Sequence, residues 1–235
     1  MTKEFDRGPA SSHKKASKRD TKKPPSPRIQ KKATGDYRHG DLKNVLIQAA
    51  VKLIDERNDV DFTIRELAKL TGVTHTAAYR HYRSKKDLLV AIAVIGFTKM
   101  QTYFDEAAHI AEKKKSSKVV ALGEAYVNFA IENTTYFRVM FHSDLNDCQF
   151  NEELAIVGPK TFQTLVNAVS QNRQSGLYKN ISEQEMSLAA WSLVHGAATL
   201  YINGMLKRDS HPTPNEMRQW AHSICLILET GLVKR

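Results

Sequence analysis

Residues Phe62 to Asp87 read FTIRELAKLTGVTHTAAYRHYRSKKD, and this stretch holds three helix starts. Thr63 and Glu66 form Thr-x-x-Glu, in which a hydroxyl and a carboxylate satisfy the orphan backbone donors of a first turn. Thr71-Gly72 stops that helix, because glycine suits the left-handed position just past a helix end. Thr74 caps a second helix, His75 to Tyr82, and Ser84 with Asp87 repeats the capping pattern to open a third. Two short helices joined by a tight glycine-containing turn are the pattern of a helix-turn-helix, whose second helix enters the DNA major groove. The plain alternative is a helical hairpin with solvated charges.

Spacing sorts the faces of the second helix. Thr74, Ala78 and Tyr82 lie four apart and turn inward with Val73, while His75, Tyr79 and Arg83 form another stripe flanked by Thr76 and Arg80. Small residues at Thr76 and Ala77 let the helix start approach base edges closely.

The stretch resembles the DNA-binding domain of the TetR/AcrR transcriptional regulators. Thr63-x-Arg65-Glu66-Leu67-Ala68, Gly72-Val73-Thr74, Ala78-Tyr79-Arg80-His81-Tyr82 and Ser84-Lys85-Lys86-Asp87-Leu88-Leu89 all fall at family spacing without a gap. The likeness is close from about Asp41 to Leu89 and elsewhere holds only in helical layout. Thr76-Ala77-Ala78 departs from the Gly-Thr-Leu of many relatives, which alters the bases read rather than whether DNA is bound. The resemblance implies base-edge contacts from His75, Thr76 and Ala77, with Arg65 reaching a further base, since arginine pairs with guanine. It implies phosphate contacts from Thr63, Tyr79, His81 and Lys85. Thr74 and Tyr82 complete the expected DNA-binding set, although their spacing also turns them inward.

Composition bounds the rest. The 235 residues suffice for one or two domains with a proper core. No apolar run of transmembrane length and no secretory signal is evident, so no membrane partner and a cytoplasmic location are expected. Cys148 and Cys225 are far apart and form neither a metal nor a disulfide pattern. Cys225 reads as a buried, inert thiol.

The net charge of +10 is concentrated at one end. Residues 1–35 carry 11 Lys and Arg against three acids, or +8, which leaves +2 for the other 200 residues. That segment is rich in Lys, Ser and Pro and has too few large apolar groups to offset its ordering entropy, so a disordered basic tail is expected at 1–35. The tail suits a polyanion such as DNA, either as an arm along phosphates or in the minor groove, or as a solubilising extension.

Residues 36–84 are expected to form the helix-turn-helix domain. Leu42, Val45, Leu46, Ala49, Leu53 and Ile54 recur at helical spacing in a bracing first helix. Residues 85–235 are expected to form a larger helical regulatory and dimerisation domain. It opens with a long helix through Leu88, Leu89, Ile92, Ile95 and Phe104 to the charged stop at Glu112 to Lys115. In the family that helix resembles a mechanical link between the ligand and DNA domains. A helix with Val119, Leu122, Tyr126, Phe129 and Ala130 follows, then a short one from Tyr136 to Phe141. His142 to Glu153 reads as a loop, and its His142, Asp144, Asp147 and Cys148 match no zinc spacing. Gly158-Pro159 is expected to break the chain before a helix from about Lys160 to Ser175.

The last two helices begin at capping patterns, Ser182 with Glu185 and Thr213-Pro214-x-Glu216. The first of them is apolar on more than one face and must be covered on more than one side. The resemblance implies a homodimer through these two helices, with Leu193, Leu200, Met217, Trp220, Ile224 and Leu228 at the interface. Trp191-x-x-x-His195-Gly196 resembles the C-terminal motif of one TetR subgroup, as does Tyr37-Arg38-His39-Gly40-Asp41-Leu42 at the entry to the first helix. Gly196 is read there as permitting close helix contact, and Trp191 and His195 as packing and hydrogen-bonding in the core.

No phosphate loop, metal-spaced histidine cluster or nucleophile elbow is present, which argues against an enzyme; no metal and no cofactor are expected. The resemblance implies an apolar pocket for an unknown small-molecule effector, with Tyr126, Phe129, Phe137, Met140, Phe141, Phe162, Leu165, Trp191 and His195 as its candidate lining; plain core is the alternative for each. The whole reads as an all-α chain and a sequence-specific, homodimeric DNA-binding regulator, a repressor relieved by a ligand. The palindromic operator would be double-stranded DNA. The competing reading is a nucleoid-type binder driven by the tail, which would ignore sequence and collapse with salt.

Overall fold

A computed structural model describes residues 42–145, 151–174, 181–206 and 210–233. The expected basic tail lies outside these residues, as do the Tyr37 to Asp41 entry, Asp147 and Cys148. The described residues contain nine α-helices, one 3-10 turn at Ser143–Leu145 and no strand.

Helices α1 (Leu42–Arg57), α2 (Ile64–Thr71) and α3 (His75–His81) pack around Leu46, Ala50, Ile54, Leu67, Ala68 and Ala78, all fully buried. The local signals explain the turns. Thr63 Oγ1 accepts from Glu66 N at 3.1 Å, Thr74 Oγ1 from Ala77 N at 3.2 Å and Ser84 Oγ from Asp87 N at 3.1 Å. Gly72 sits at φ +73° beyond α2, where Val73 N donates back to Ala68 O at 3.0 Å. A Cβ there would meet nothing within 4 Å, so the requirement for glycine is one of backbone conformation alone.

Helix α4 (Lys85–Lys114) has 30 residues, about 45 Å at 1.5 Å per residue. Leu88, Leu89 and Ile92 at its start belong to the core against α1, and Met100 and Phe104 lie in the bundle. An 18-residue window of α4 is long and apolar enough to cross a membrane, which the sequence reading did not anticipate. Nearly half of that window is buried, as befits a helix shared by two packed layers. At Gly96 an added Cβ would approach Met140 Sδ to 2.5 Å, so glycine here allows α6 (Thr134–Met140) to lie close against α4.

Helix α5 (Lys118–Glu132) is the centre of the bundle, with Leu122, Tyr126, Val127, Phe129 and Ala130 buried on several sides. It contacts α4, α6, α8 (Glu183–Ile202) and α9 (Pro214–Val233). Arg218 of α9 donates to Asn128 Oδ1 at 3.1 Å and to Glu132 Oε1 at 2.9 Å on α5.

One expectation is corrected. Gly158-Pro159 does not break the chain: α7 runs unbroken from Glu152 to Gln174 with Pro159 inside it. Asn151 caps it through Leu154 N at 3.0 Å, ending the loop earlier than read. Proline removes one backbone donor, and here Ala155, four residues before it, is exposed, so the freed carbonyl can face water. On α8, Met186, Ala190, Val194 and Ala198 form a buried stripe and the helix packs against α5, α7 and α9, while Leu188 is 53% and Leu200 41% exposed, so one chain leaves part of the apolar surface of α8 uncovered.

Candidate DNA interface and ligand cavity

Helix α3 presents His75, Thr76, Tyr79 and Arg80 to solvent from its first and second turns. Arg65 on α2 is exposed beside it, and so is Thr63, whose hydroxyl oxygen is occupied as a cap acceptor while its O–H stays available to donate. Lys85 is half-buried, its ammonium 5.3 Å from the centre of the Phe62 ring, a cation–π contact that fixes the stem at the start of α4. His81 is half-buried, as is Ala77. Tyr82 departs from its assignment as a DNA contact: it is 6% exposed and packs in the core, and burial raises its hydroxyl pKa. Thr74 is exposed and acts as the α3 cap.

One residue escaped the sequence reading. Arg57, at the end of α1, forms a two-pronged ion pair with Glu66 and donates to Asp61 O at 2.8 Å. Its hydrogen bond holds the Glu66 carboxyl below the usual carboxylate range. Glu66 is therefore bound to α1 as well as lying at the α2 start. The signal available was a basic residue in the last turn of α1 nine positions before an acid, a pattern too common to single out.

Between α4, α5, α7, α8 and α9 lies a cavity of about 450 Å³. Phe97, Met100 and Phe104 of α4 and Leu122, Gly123 and Tyr126 of α5 form one wall; Phe162 and Leu165 of α7, Trp191 and Val194 of α8 and Cys225 of α9 form the other, with Phe141 at one end. No acidic, basic or histidine side chain lines it among the described residues. Tyr126 is the main polar group in its interior. The hydroxyl bonds His195 Nδ1 at 2.7 Å and also meets the Trp191 indole; burial pushes its pKa far up, so it stays a phenol. Burial lowers the His195 pKa, which favours the neutral ring. Burial likewise pushes the Cys225 thiol up to about 12, an unreactive thiol as expected.

Two family models match the chain: one for bacterial regulatory proteins of the tetR family over residues 46–92, and one for the tetracyclin repressor-like C-terminal domain over residues 119–222. Together they span well over half of the sequence. The chain belongs to the TetR family. It is 31% identical over 101 residues to the uncharacterized HTH-type transcriptional regulator YobS of Bacillus subtilis (strain 168), a match over 43% of this chain; the chain spans about half (51%) of that curated relative. A protein of unknown function from Rhodococcus sp. RHA1 is 27% identical and superposes with a TM-score of 0.68 over 85% of this chain and 99% of its own. The TetR family transcriptional regulator PfmR from Thermus thermophilus is 16% identical, with a TM-score of 0.62 over 80% and 98%. The matching family and the curated relative are transcriptional regulators rather than enzymes.

In this TetR-family chain the structure divides the expected pocket residues. Tyr126, Phe141, Phe162, Leu165 and Trp191 line the cavity. Phe129 does not: it is fully buried against Tyr103, ring centres 5.5 Å apart. Met140 faces Gly96, and Phe137 and His195 lie behind Tyr126 and Phe141, with His195 and Phe141 centres 4.6 Å apart. Phe137, Phe141 and His195 border a second cavity of about 370 Å³ that reaches Asn58, Asp59 and Val60, between α1 and α2.

Among the expected interface residues, Trp220 is 46% exposed and Leu200 is exposed. Leu193 and Ile224 are half-buried. Met217 is only 1% exposed, because Met217, Ala221 and Cys225 recur every four residues as the stripe of α9 that packs inside the fold. Leu228 lines the cavity. On α8 and α9 the exposed apolar residues outside that expected set are Leu188, Leu226 and Ile227. A Cβ on Gly196 meets nothing within 4 Å, so the close helix contact expected there does not occur within one chain. Among the described residues no group of three or more His, Cys, Asp and Glu could hold a metal ion.

Proposed function

We propose that the chain acts as a homodimeric, sequence-specific repressor in the cytoplasm, released from a palindromic operator by a small molecule. The observation that carries this reading is the pairing of an exposed recognition face on α3 with a cavity in the same chain, joined by a continuous set of contacts. Residues 36–84 then serve as the DNA-binding domain and 85–235 as the regulatory and dimerisation domain. His75, Thr76 and Ala77 meet base edges, Arg65 pairs with a guanine, and Thr63, Tyr79, His81 and Lys85 hold phosphates.

The contacts from cavity to DNA domain supply the coupling. Phe141 lies at the boundary of both cavities, next to His195. Helix α6 carries Phe137 on that side. From the same helix, Thr135 Oγ1 donates to Asp55 Oδ1 of α1 at 3.0 Å and Arg138 donates to Asn58 Oδ1. Asn58 sits at φ +57° at the end of α1. A ligand that fits only one arrangement of Tyr126, Phe141 and His195 would favour one position of α6, and with it one position of α1 to α3.

The exposed apolar residues of α8 and α9 support a dimer through those helices. A two-fold axis there would space two α3 helices for successive major grooves, about 34–36 Å apart or somewhat more. Selection of bound sequences from random duplex DNA at near-physiological salt tests the reading. An inverted repeat is expected. Recovery of no preferred sequence, with binding that collapses as salt rises, would instead favour a charge-driven, nucleoid-type binder.

A further inference from the structure

We infer that the effector is an uncharged, predominantly apolar molecule that enters between α7 and α8 and leaves any polar end at that mouth. The inference rests on the reading of the bundle as a ligand-binding unit and names its ligand class.

Three observations carry it. The first is charge. The cavity of about 450 Å³ falls within the range of small-molecule sites, yet among the described residues no ionisable side chain other than a phenol and a thiol lines it. Both are held neutral by burial. A carboxylate or ammonium inside would lose its hydration and gain no counter-charge. The second is saturation of the few polar groups within. Tyr126 is engaged by His195 and Trp191, and the Thr161 hydroxyl donates to Val157 O at 2.9 Å in its own helix. The interior therefore has little to offer a polar ligand group, and binding there is by apolar burial.

The third observation gives direction. The lining residues differ sharply in exposure. Met100, Leu122, Tyr126 and Val194 are buried, whereas Pro159, Phe162, Gln184 and Leu188 are exposed. The exposed set comes from α7 and α8 alone, so the opening lies between them, and Gln184 is the neutral polar side chain beside it. The second cavity has the opposite character, with Asp59, Arg138 and His142 on its walls, and suits no such ligand.

The test uses the full-length chain loaded with the neutral apolar dye N-phenyl-1-naphthylamine, whose fluorescence rises on burial. Three competitors of equal chain length are compared below their micelle thresholds: 1-decanol, decanoate and decyltrimethylammonium. Decanol is expected to displace the dye at least tenfold more effectively than either ion. The variant Gln184→Lys, at the exposed polar position beside the mouth, is expected to shift the preference for decanoate over decanol at least tenfold, because the new ammonium stands at the mouth. An equal or better result for either ion on the unaltered chain overturns the inference, as does failure of decanol to displace the dye. Unchanged selectivity in Gln184→Lys overturns the placement of the mouth. Decanol binding that leaves operator affinity untouched would sink the regulatory reading alone, and the ligand class would stand.

Discussion

Replacement of Tyr126 by Phe isolates the polar centre of the bundle with almost no change in shape. The ring stays, packed against Phe137 at 5.7 Å and Phe104 at 6.5 Å between centres. The hydroxyl is lost, and with it the 2.7 Å bond to His195 Nδ1 and the contact with the Trp191 indole. A net hydrogen bond is worth roughly 1 kcal/mol, and a buried partner left unsatisfied costs roughly 1–3 kcal/mol more. His195 is only half-buried and borders the second cavity, where water can replace part of the lost bond. The expected loss is therefore about 2 kcal/mol, or roughly 4–8 °C in melting temperature for a chain of this size. Urea unfolding followed by far-ultraviolet circular dichroism, at fixed protein concentration, measures it. A cycle with His195→Leu separates the pair: the double variant is expected to be less destabilised than the sum of the singles by about 1 kcal/mol. Full additivity, or a loss below about 0.5 kcal/mol for Tyr126→Phe, would refute the claim that this bond organises the cavity wall.

Burial lowers the His195 pKa, so the unfolded chain takes up its proton first on acidification; this contribution to stability is intact above the unfolded pKa of about 6.5 and is lost as pH falls toward the folded value. Unfolding free energy is expected to drop between pH 7 and pH 5, and His195→Asn should flatten that slope in paired urea titrations. At the DNA face, Arg65→Ala is expected to relax base preference at one position. Lys85→Ala should weaken all sequences alike and reduce the slope of log K against log salt by about 1; a binding-site library read at several salt concentrations distinguishes the two. Ile227, 68% exposed on α9, is expected to lie in the dimer interface, so Ile227→Glu should shift the chain to monomer in sedimentation velocity while its helical signal persists; an unchanged dimer would place the interface elsewhere.

The local chemistry of the chain determined the helix-turn-helix and most helix starts. Thr63, Thr74, Ser84, Ser182 and Thr213 all cap as their spacing predicts, because a cap depends on three or four consecutive residues and little else. The same locality explains Gly72. Where a local rule met tertiary context, context won. Pro159 reads as a break, yet the helix continues past it, because one missing donor is tolerable where the orphaned carbonyl can reach water. Helical spacing placed Met217 and Trp220 on one apolar arc, but only packing against α5 decides which part of the arc is core and which is surface. The aromatic residues of the middle helices likewise carry no mark that separates Phe129, sealed in the core, from Phe162, at the cavity rim. The joining of Tyr126 to His195 across 69 positions, and of Thr135 to Asp55 across 80, was legible only in three dimensions. The sequence by itself determined most of the helices, their caps and the helix-turn-helix, since these arise from neighbours along the chain. The cavity, its lack of charge among the described residues and the bonds from α6 to α1 were decided by the tertiary structure, since a void and a through-space bond are properties of how helices meet.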